Sequence, residues 1–517
     1  MLLTQGLHRS AQRHARKIAT RDGARSQTFA ELILRVAKFA GGLHALGVRP
    51  GDRVAMLALN SDHYLEYLWA TWWLGAVTTP INTRWSASEI VYSLNDCATH
   101  VLIVDDAFAN LAAELRTGAA AIKHVVHAGD ASAPSGLLAL NTLIDDAAPL
   151  DEHQGSPDAL AAILYTGGTT GFPKGVMLSH ANLWSAIVGR MAEVPNPGDF
   201  ITLLTAPLFH VAGLGRMIGQ TVVGGTCVTV PRFQPSAVLQ SIERFGITDM
   251  VLVPSMIQML LDEPTRLDYD LSSLRRILWG AAPIAMPVLE RAMQAWQDVE
   301  FIHAYGMTET GASLSVHNLS AGPHARANGR AASAGRPGLA VDVRIVNEIG
   351  QEVPRGTTGE LIVSGPTVMQ GYWKQPEATQ AAVREGWLYT GDGAYMDDEG
   401  YLYVVDRIKD MIISGGENIY PAEVETVLAR HPAVALCAVI GVPHAQWGET
   451  VHAVVVLKEG LSASEQILID HCRTLLGGYK CPRSIAFRTS LPLSAAGKVL
   501  KKELRTGGQT APPGATG

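Results

Sequence analysis

The segment from Tyr165 to Gly175 combines glycines, threonines and a lysine in the manner of a loop that binds phosphate groups. Glycines expose backbone N–H groups, threonine hydroxyls donate to phosphate oxygens, and a lysine offsets negative charge. It is not the P-loop of kinase-type enzymes, which needs Gly-Lys-Ser/Thr, because Pro173 precedes the lysine and Gly175 follows it. The alternative is a flexible surface loop between a strand and a helix. The candidate phosphate ligands are Thr166, Gly167, Gly168, Thr169, Thr170, Gly171 and Lys174.

Further polar and glycine-containing segments follow this loop along the chain. They are Pro207-Leu208-Phe209-His210 with Gly213, Gly280-Ala281-Ala282-Pro283, Tyr305-Gly306-Met307-Thr308-Glu309, Tyr389-Thr390-Gly391-Asp392, Asp406-Arg407 with Gly415-Gly416, and Leu491-Pro492 with Gly497-Lys498. In this order they resemble the motifs of the adenylate-forming (ANL) superfamily, which comprises acyl-CoA synthetases, peptide-synthetase adenylation domains and luciferases. The resemblance covers nearly the whole chain. It departs at Gly167, where most members carry a serine, and the missing hydroxyl removes a hydrogen bond worth about 0.5–1.5 kcal/mol.

The resemblance implies a reaction in two steps. A carboxylate attacks the α-phosphate of ATP to give an acyl-adenylate and pyrophosphate, and the thiol of CoA then displaces AMP. Because a negative nucleophile meets a polyanion, cations and hydrogen-bond donors must neutralise both. The implied catalytic residues are Lys498, Thr308, His210 and Lys174, with Glu309 as a ligand of Mg²⁺. The plainer alternatives are a solvated surface lysine at 498 and a helix-terminal glutamate at 309.

The resemblance also assigns residues to the nucleotide and to movement of the C-terminal part. Asp392 offers two acceptor oxygens to the ribose, and Arg407 either supports that contact or forms a salt bridge near the hinge. Asp406 is the implied hinge about which a lid rotates between the two steps. The other implied nucleotide contacts are Gly280, Ala281, Ala282, Pro283, Tyr305, Gly306, Met307 and Thr308, and Gly415 and Gly416 would approach the pantetheine channel. Lys480 and Arg483 either meet CoA phosphates or are ordinary surface charges.

The implied acyl pocket is mainly apolar. It comprises His210, Val211, Gly213, Leu214, Trp279, His303, Ala304 and Met307. This lining favours a fatty or aromatic acid, and it offers no cation to a second carboxylate unless Arg216 faces the pocket. An α-amino acid is disfavoured, because His210 stands where relatives that activate amino acids carry an aspartate for the amine.

Three functions compete at this point. The leading hypothesis is an AMP-forming ligase that joins a carboxylic acid to CoA, and no carrier-protein domain follows the lid in this sequence. The second is an acyl-adenylate transferase that loads the thiol of a carrier protein. The third is a nucleotide-binding scaffold without turnover, which the altered Gly167 permits but the presence of Lys498, Glu309 and Asp392 argues against.

Composition and patterning predict the elements that position these residues. The chain has 517 residues, of which 47% are hydrophobic and 17% charged, which predicts about three globular units. Alternating strand-like and helix-like segments predict an α/β fold with a large N-terminal body of layered α/β subdomains and a β-rich subdomain. A small mobile α+β lid follows. The predicted divisions are residues 1–405, residues 406–506 and a disordered tail over residues 507–517.

Local signals refine this outline. Ser236 is predicted to cap a helix that Gly246 ends, and residues 250–253 are predicted to form a buried strand. The net charge of −7 does not favour nucleic-acid binding, and five scattered cysteines favour neither a disulfide framework nor a zinc site. The sequence contains no apolar run of membrane-spanning length. We therefore expect a cytoplasmic protein whose partners are small molecules, and a homodimer is possible.

Overall fold

The computed structural model of the chain describes residues 1–166, 173–414, 417–444, 447–494 and 499–506. The first third contains strands β1 (Ile18–Asp22), β2 (Arg25–Thr28), β3 (Arg53–Leu57), β4 (Val77–Pro80), β5 (Val101–Val104), β6 (His124–His127), β7 (Leu138–Ala139), β8 (Leu160–Thr166) and β9 (Lys174–Ser179). Its helices are α1 (Thr4–His14), α2 (Phe29–Ala45), α3 (Asp62–Trp73), α4 (Ala87–Asp96), α5 (Ala112–Gly118) and α6 (Leu140–Asp146).

The middle third repeats the alternation of strand and helix. Its strands are β10 (Ile201–Leu204), β11 (Thr226–Thr229), β12 (Asp249–Leu252), β13 (Arg276–Gly280), β14 (Glu300–Tyr305), β15 (Ser315–Asn318) and β16 (Arg336–Pro337). Its helices are α7 (His180–Glu193), α8 (Val211–Val222), α9 (Pro235–Phe245), α10 (Pro254–Asp262) and α11 (Met286–Ala295).

The last third is richer in strands. These are β17 (Asp342–Val346), β18 (Gly359–Ser364), β19 (Gly371–Tyr372), β20 (Val383–Arg384), β21 (Trp387–Met396), β22 (Leu402–Arg407), β23 (Ile412–Ser414), β24 (Glu417–Ile419), β25 (Val434–His444), β26 (Gly448–Leu457) and β27 (Ser484–Phe487). The helices are α12 (Pro376–Ala382), α13 (Pro421–Leu428), α14 (Glu465–Arg473) and α15 (Lys501–Thr506).

Within the described part of the chain, the strands form two large sheets and two smaller ones. The eight-stranded sheet has the order β19-β9-β8-β4-β3-β5-β6-β7, and the nine-stranded sheet has the order β16-β15-β14-β13-β12-β10-β11-β1-β2. Strands β10 to β14 of the latter are parallel, as expected for strands joined by helical crossovers. Two five-stranded sheets follow, β17-β18-β21-β20 with β22, and β24-β23-β26-β25 with β27. The mixed α/β class agrees with the prediction.

The two large sheets share one core, and α3 lies within it. Every residue of α3 is buried, and this core includes apolar side chains of β3, β8, β10 and β11. Its buried aromatic side chains find partners for their polar atoms: the Tyr67 hydroxyl donates to the Val54 carbonyl at 2.8 Å, and Trp72 Nε1 donates to the Ala161 carbonyl at 3.0 Å. These bonds satisfy polar atoms that burial would otherwise leave unpaired, and they tie the helix to β3 and to β8.

Local sequence signals explain many of the element boundaries. A capping box of Thr28 and Glu31 opens α2. Helix α9 ends at Gly246, whose φ of 61° is left-handed, as predicted. The prediction that Ser236 caps this helix is wrong, since Pro235 is already its first residue and Gln234 precedes it without a side-chain bond. Proline suits that position because it has no N–H to leave unsatisfied.

The chain passes from one small sheet to the other near the predicted division. Strand β22 runs through Asp406 and Arg407, which pair with Gly393 and Asp392 of β21. The next strand begins at Ile412, and the apolar residues of the C-terminal sheet and its helices form a separate core. The division at residue 406 and the hinge function of Asp406 remain predictions, and the tail over residues 507–517 lies outside the described ranges. No helix in the described part of the chain is long and apolar enough to cross a membrane.

Candidate active site

The parallel strands β10, β13 and β14 end on the same side of the nine-stranded sheet. Pro207 and His210 lie after β10, Gly280 and Ala281 lie at the end of β13 and just after it, and residues 303–308 run from the end of β14 into the turn that follows; all of them are half-buried. In open α/β sheets, ligands bind outside the carboxyl ends of the strands, where helix N-termini and loops meet. His210, Gly280, Ala281 and residues 303–308 of the predicted site thus lie at these strand ends.

Asp392 is the residue predicted to bind the ribose. Its side chain is 4% exposed, and it accepts a hydrogen bond from the Tyr305 hydroxyl at 2.5 Å. Its other oxygen lies 2.7 Å from Nε of Arg407, whose guanidinium also donates to the Thr390 carbonyl at 2.9 Å. Burial and the neighbouring carboxylate of Asp392 raise the pKa of Tyr305 well above its usual value, so the hydroxyl remains a donor.

This arrangement leaves Asp392 able to bind a further donor. Each carboxylate oxygen has about two acceptor positions, and the bonds to Tyr305 and Arg407 use one on each oxygen. The remaining positions suit the paired hydroxyls of a ribose. Arg407 can therefore form the salt bridge with Asp392 and support the ribose contact at the same time, so its two predicted alternatives do not exclude each other.

Glu309 lies in a 3-10 helix, Thr308–Thr310, that follows the turn after β14. It is 8% exposed, and its Oε1 accepts a hydrogen bond from the Tyr372 hydroxyl at 3.0 Å. Lys174 Nζ lies 5.0 Å from the centre of the Tyr372 ring, a cation–π distance. Burial, together with Glu309, raises the pKa of Tyr372. A carboxylate, a phenol and a cation thus meet beside the predicted phosphate loop.

The phosphate loop joins two antiparallel strands. Thr166 ends β8 and Lys174 begins β9, and the two residues pair directly across the hairpin. The alternative of a loop between a strand and a helix is therefore wrong, because a strand follows. Gly167, Gly168, Thr169, Thr170 and Gly171 lie outside the described residues, so the structure describes only Thr166 and Lys174 of this predicted set.

The donors present fit one magnesium ion held jointly with a nucleotide. Mg²⁺ is usually bound by one or two carboxylates together with substrate phosphates and water. Glu309 supplies one hard oxygen donor, and only one of its two oxygens is engaged by Tyr372. The described residues contain no cluster of three or more histidine, cysteine or acidic side chains that would hold a metal ion without the phosphates.

Close backbone packing accounts for the small residues of the site. A Cβ at Gly306 would lie 1.7 Å from the Ala312 carbonyl oxygen, and a Cβ at Gly280 would lie 2.2 Å from that of Ala304. Ala281 has a left-handed φ of 67°, a conformation that costs a residue with a side chain about 1–2 kcal/mol. Such strain is often found at functional sites, where surrounding structure maintains it.

Helix α8 begins at the predicted acyl pocket. His210 precedes it, and its Nδ1 accepts a hydrogen bond from the Ala212 N–H at 3.2 Å, so the ring caps the helix. Gly213 is required here, because a Cβ would lie 2.3 Å from the Pro207 carbonyl oxygen. Val211 and Leu214 are buried in the shared core, whereas Met307 is half-buried beside it.

Arg216 is enclosed within the fold. It is 4% exposed and forms a buried ion pair with Asp249, and it donates to Asn196 at 2.7 Å and to Thr202 at 2.9 Å. Its guanidinium is therefore committed to the packing of α8 against β10 and β12. The structure therefore favours the alternative in which Arg216 does not face the acyl pocket, and the pocket lacks this cation.

Trp279 and His303, which are both predicted to line the acyl pocket, lie side by side on β13 and β14. They are partners across β13 and β14, and their rings stack with centroids 5.1 Å apart and planes 3° apart. Trp279 is 1% exposed, whereas His303 is half-buried.

The C-terminal part of the chain contributes less to the described site. Lys498, Gly415 and Gly416 lie outside the described residues. The segment that leads to Lys498 reaches the body, because Arg84 donates to the Ser494 carbonyl at 2.8 Å. Trp85 packs edge-on against Tyr165, next to the phosphate hairpin. Lys480 lies 2.8 Å from both carboxylate oxygens of Glu423, so it is paired as a surface charge.

Sequence reasoning missed Tyr372 and its contact with Glu309. The two residues are 63 positions apart, and they meet because the short strand β19 pairs with β9 at the edge of the eight-stranded sheet. A Gly-Tyr-Trp-Lys run at residues 371–374 was a visible signal, but nothing in the sequence connected it to residue 309.

This fold and site define a nucleotide-dependent α/β enzyme with its predicted site residues at the ends of parallel strands and with a separate C-terminal sheet. The chain belongs to the AMP-binding enzyme family: residues 7–373 match that family, and residues 423–498 match the AMP-binding enzyme C-terminal domain. The resemblance drawn from the motifs is thereby confirmed.

Similar proteins narrow the class. A feruloyl-CoA synthase of Amycolatopsis sp is 42% identical over 498 residues, which are 96% of this chain and 97% of that protein. A fatty acid–[acyl-carrier-protein] ligase, ScoC, of Streptomyces coeruleorubidus is 36% identical over 93% of this chain and 91% of its own length. The crystal structure of the anthranilate CoA ligase AuaEII in complex with anthranoyl-AMP has a TM-score of 0.90 and 30% identity, over 98% of this chain and 97% of that one. The prediction of an ATP-dependent, AMP-forming acid–thiol ligase is confirmed.

Proposed function

We propose that this enzyme converts an aromatic carboxylic acid into its CoA thioester through an acyl-adenylate. The observation that carries the proposal is the stacked pair of Trp279 and His303, two residues predicted to line the acyl pocket, since planar rings complement a planar substrate. Two of the similar proteins, the feruloyl-CoA synthase and the anthranilate CoA ligase, are named for aromatic acids.

The charges around the pocket support a monocarboxylic acid. Arg216 is paired with Asp249, and Asn196 accepts from it at 2.7 Å and from the half-buried Arg190 at 2.9 Å. A second carboxylate in the pocket would be desolvated without the Arg216 cation as a partner, which is costly. A neutral aryl or alkyl tail carries no such cost.

The residues of the site take the following roles in this proposal. Lys174 and Thr308 neutralise and bind the phosphates, and Asp392 with Arg407 binds the ribose. Lys498 bridges the substrate carboxylate and the α-phosphate, and Asp406 is the hinge about which the lid turns to admit CoA. A bound Mg²⁺, with Glu309 as its protein ligand, would offset charge on the ATP phosphates. For the first step, the enzyme must reduce the repulsion between the substrate carboxylate and the negatively charged phosphates of ATP.

Pyrophosphate release with a panel of acids tests the proposal. Benzoic, cinnamic and C2–C18 fatty acids are each incubated with ATP and Mg²⁺, with and without CoA, and the thioester is measured separately. We expect aromatic acids to give the highest kcat/KM and CoA to yield aryl-CoA. The proposal fails if saturated fatty acids exceed every aromatic acid, or if none of the acids releases pyrophosphate.

The contribution of Lys498 is tested by separating the two steps. Lys498→Ala should lose nearly all adenylation but much less of the thioester formation from supplied aryl-AMP, and Lys502→Ala is the matched control. Equal losses in both steps would contradict the assigned role.

A carrier-protein thiol is the second candidate acceptor, because ScoC is named as a ligase of that kind. This second candidate predicts thioester formation with a holo-carrier protein and none with free CoA. The same assay with both thiols separates the two acceptors.

A further inference from the structure

Tyr372 contacts two residues that are predicted to handle the phosphates of ATP. Its hydroxyl lies 3.0 Å from Glu309 Oε1, and because an ionised carboxylate only accepts hydrogen bonds, the phenol is the donor. The centre of its ring lies 5.0 Å from Lys174 Nζ, which is a cation–π distance. A single side chain therefore contacts both an acid and a base that are far apart in the chain.

Backbone pairing fixes Tyr372 against the strand that contains Lys174. Tyr372 is the partner of Val176 in the antiparallel pair of β19 and β9, and the Trp373 N–H donates to the Gly175 carbonyl at 2.7 Å. Because alternate residues of a strand share a face, Lys174 lies diagonally opposite Tyr372 on that face. The contact between the ring and the ammonium group thus follows from the register of the two strands.

The backbone beside Tyr372 is also fixed against Glu309. The Met369 N–H donates to the Glu309 carbonyl at 2.8 Å, and the Tyr372 N–H donates to Thr379 Oγ1 at 2.8 Å. Gly371 lies between these two bonds with a positive φ of 138°, and a Cβ there would lie 2.7 Å from Thr379 Cγ2. The phenol therefore extends from a backbone that is held on both sides.

The bond from Tyr372 determines which oxygen of Glu309 remains for a ligand. Glu309 is 8% exposed, and the phenol uses Oε1 and leaves Oε2. A carboxylate that binds a metal ion depends on such a partner for its orientation, and removal of the partner typically lowers metal affinity by about 10–100-fold.

We propose that Tyr372 is a positioning residue, which orients Glu309 for the magnesium ion through its hydroxyl and Lys174 for the phosphate groups through its ring. The proposal rests on the function proposed above for Glu309 and Lys174, and it adds the residue that fixes them relative to each other. Its hydroxyl and its ring act on different partners, so the two contributions are separable by substitution.

Two substitutions at position 372 separate the hydroxyl from the ring. Tyr372→Phe removes the bond to Glu309 and keeps the ring beside Lys174, whereas Tyr372→Leu removes both contacts. Tyr403→Phe is the matched control, because the Tyr403 hydroxyl donates to Asp397 Oδ2 at 3.3 Å in the hairpin of β21 and β22. It removes a bond of the same kind from a part of the chain to which no site residue is assigned.

Binding of ATP without any acid substrate is the measurement, so that no turnover contributes. Calorimetry gives the Kd for ATP in EDTA and in excess Mg²⁺, and the ratio of the first to the second reports how far Mg²⁺ strengthens binding. Glu309→Gln is measured in the same way, since it removes the charge of the proposed magnesium ligand itself.

We expect Tyr372→Phe to lower this ratio about tenfold and to leave the Kd in EDTA unchanged. Tyr372→Leu should lower the ratio equally and also raise the Kd in EDTA about threefold, because the contact that holds Lys174 is lost. Tyr403→Phe should change neither quantity, although it removes a tyrosine–carboxylate bond.

An unchanged ratio in a folded Tyr372→Phe enzyme, together with a lowered ratio in Glu309→Gln, would overturn the inference and leave the proposed function standing. An unchanged ratio in Glu309→Gln would overturn the proposed magnesium ligand, and the inference with it. Equal Kd values in EDTA for the Phe and Leu variants would overturn the contribution of the ring. If Tyr372→Leu does not fold, Tyr372→Phe still decides the inference through the ratio.

Discussion

Replacing Asp392 by asparagine tests whether the Tyr305–Asp392–Arg407 group binds the ribose. The change keeps the size of the side chain and removes its negative charge. One oxygen is replaced by an NH₂ group, which cannot accept a bond from either the Tyr305 hydroxyl at 2.5 Å or the Arg407 Nε at 2.7 Å. The ion pair is therefore lost. The NH₂ group of the amide, itself a donor, then faces either the Tyr305 hydroxyl or Arg407 Nε, which is also a donor.

The size of the effect follows from these contacts. A hydrogen bond to a charged group contributes about 1.5–3 kcal/mol, but the Arg407 side chain is 36% exposed and water compensates part of the loss. We expect the free energy of unfolding to fall by about 1–2 kcal/mol. If the same carboxylate also accepts from ribose hydroxyls, the KM for ATP rises about tenfold, because one such bond is worth about 1.4 kcal/mol.

The assay compares ATP with 2′-deoxy-ATP and 3′-deoxy-ATP in pyrophosphate release. The wild-type enzyme should prefer ATP to at least one deoxy analogue, and Asp392→Asn should reduce that preference towards one. Asp397→Asn is the matched control, since Asp397 accepts backbone N–H groups of Glu399 and Tyr401 at the turn between β21 and β22. It should lower stability without changing the preference. Retention of the full preference in Asp392→Asn would refute the assigned ribose contact.

Three further predictions concern stability. Glu66 is fully buried among Arg35, Gln27 and His63, and although burial opposes its charge, His63 and Arg35 lower its pKa to about 2. Ionised Glu66 thus stabilises the folded state by about 3 kcal/mol above pH 4.5, and this stabilisation is lost as the pH falls towards 2. In urea titrations, the free energy of unfolding of Glu66→Gln should therefore fall less steeply with decreasing pH than that of the wild-type enzyme. Arg216→Met should cost about 3–5 kcal/mol by leaving a buried carboxylate unpaired, and adding Asp249→Asn should restore much of it; no restoration would argue against the ion pair. Gly306→Ala should abolish pyrophosphate release or folding, and near-normal activity would contradict the close approach to the Ala312 carbonyl oxygen.

The sequence predicted most of the architecture because its signals are local. Alternation of strand and helix patterns indicated α/β layers, and Gly246 ended its helix as expected. The start of the same helix was misplaced at Ser236, since a serine and a proline beside each other both resemble a helix start. Short-range patterns cannot show which of two adjacent candidates the backbone adopts.

The sequence did not show in which direction individual side chains point. Arg216 lies on a helix whose buried face packs against the sheet, and Asp249, its partner, is 33 positions away. His303 and Trp279 were both expected in the pocket, but their stacking depends on the register of β13 with β14.

The sequence by itself determined the family and its chemistry, because the glycine, threonine, lysine and acidic residues that handle a nucleotide stand in short segments of characteristic spacing. Only the tertiary structure decided how charges are paired and which acceptors remain. Tyr372 reaches Glu309 and Arg407 reaches Asp392 through pairing of strands, and the Arg216 cation is removed from the pocket by Asp249. The physical reason is that burial makes every polar group depend on the partner that folding brings to it, and such partners lie far apart in the chain.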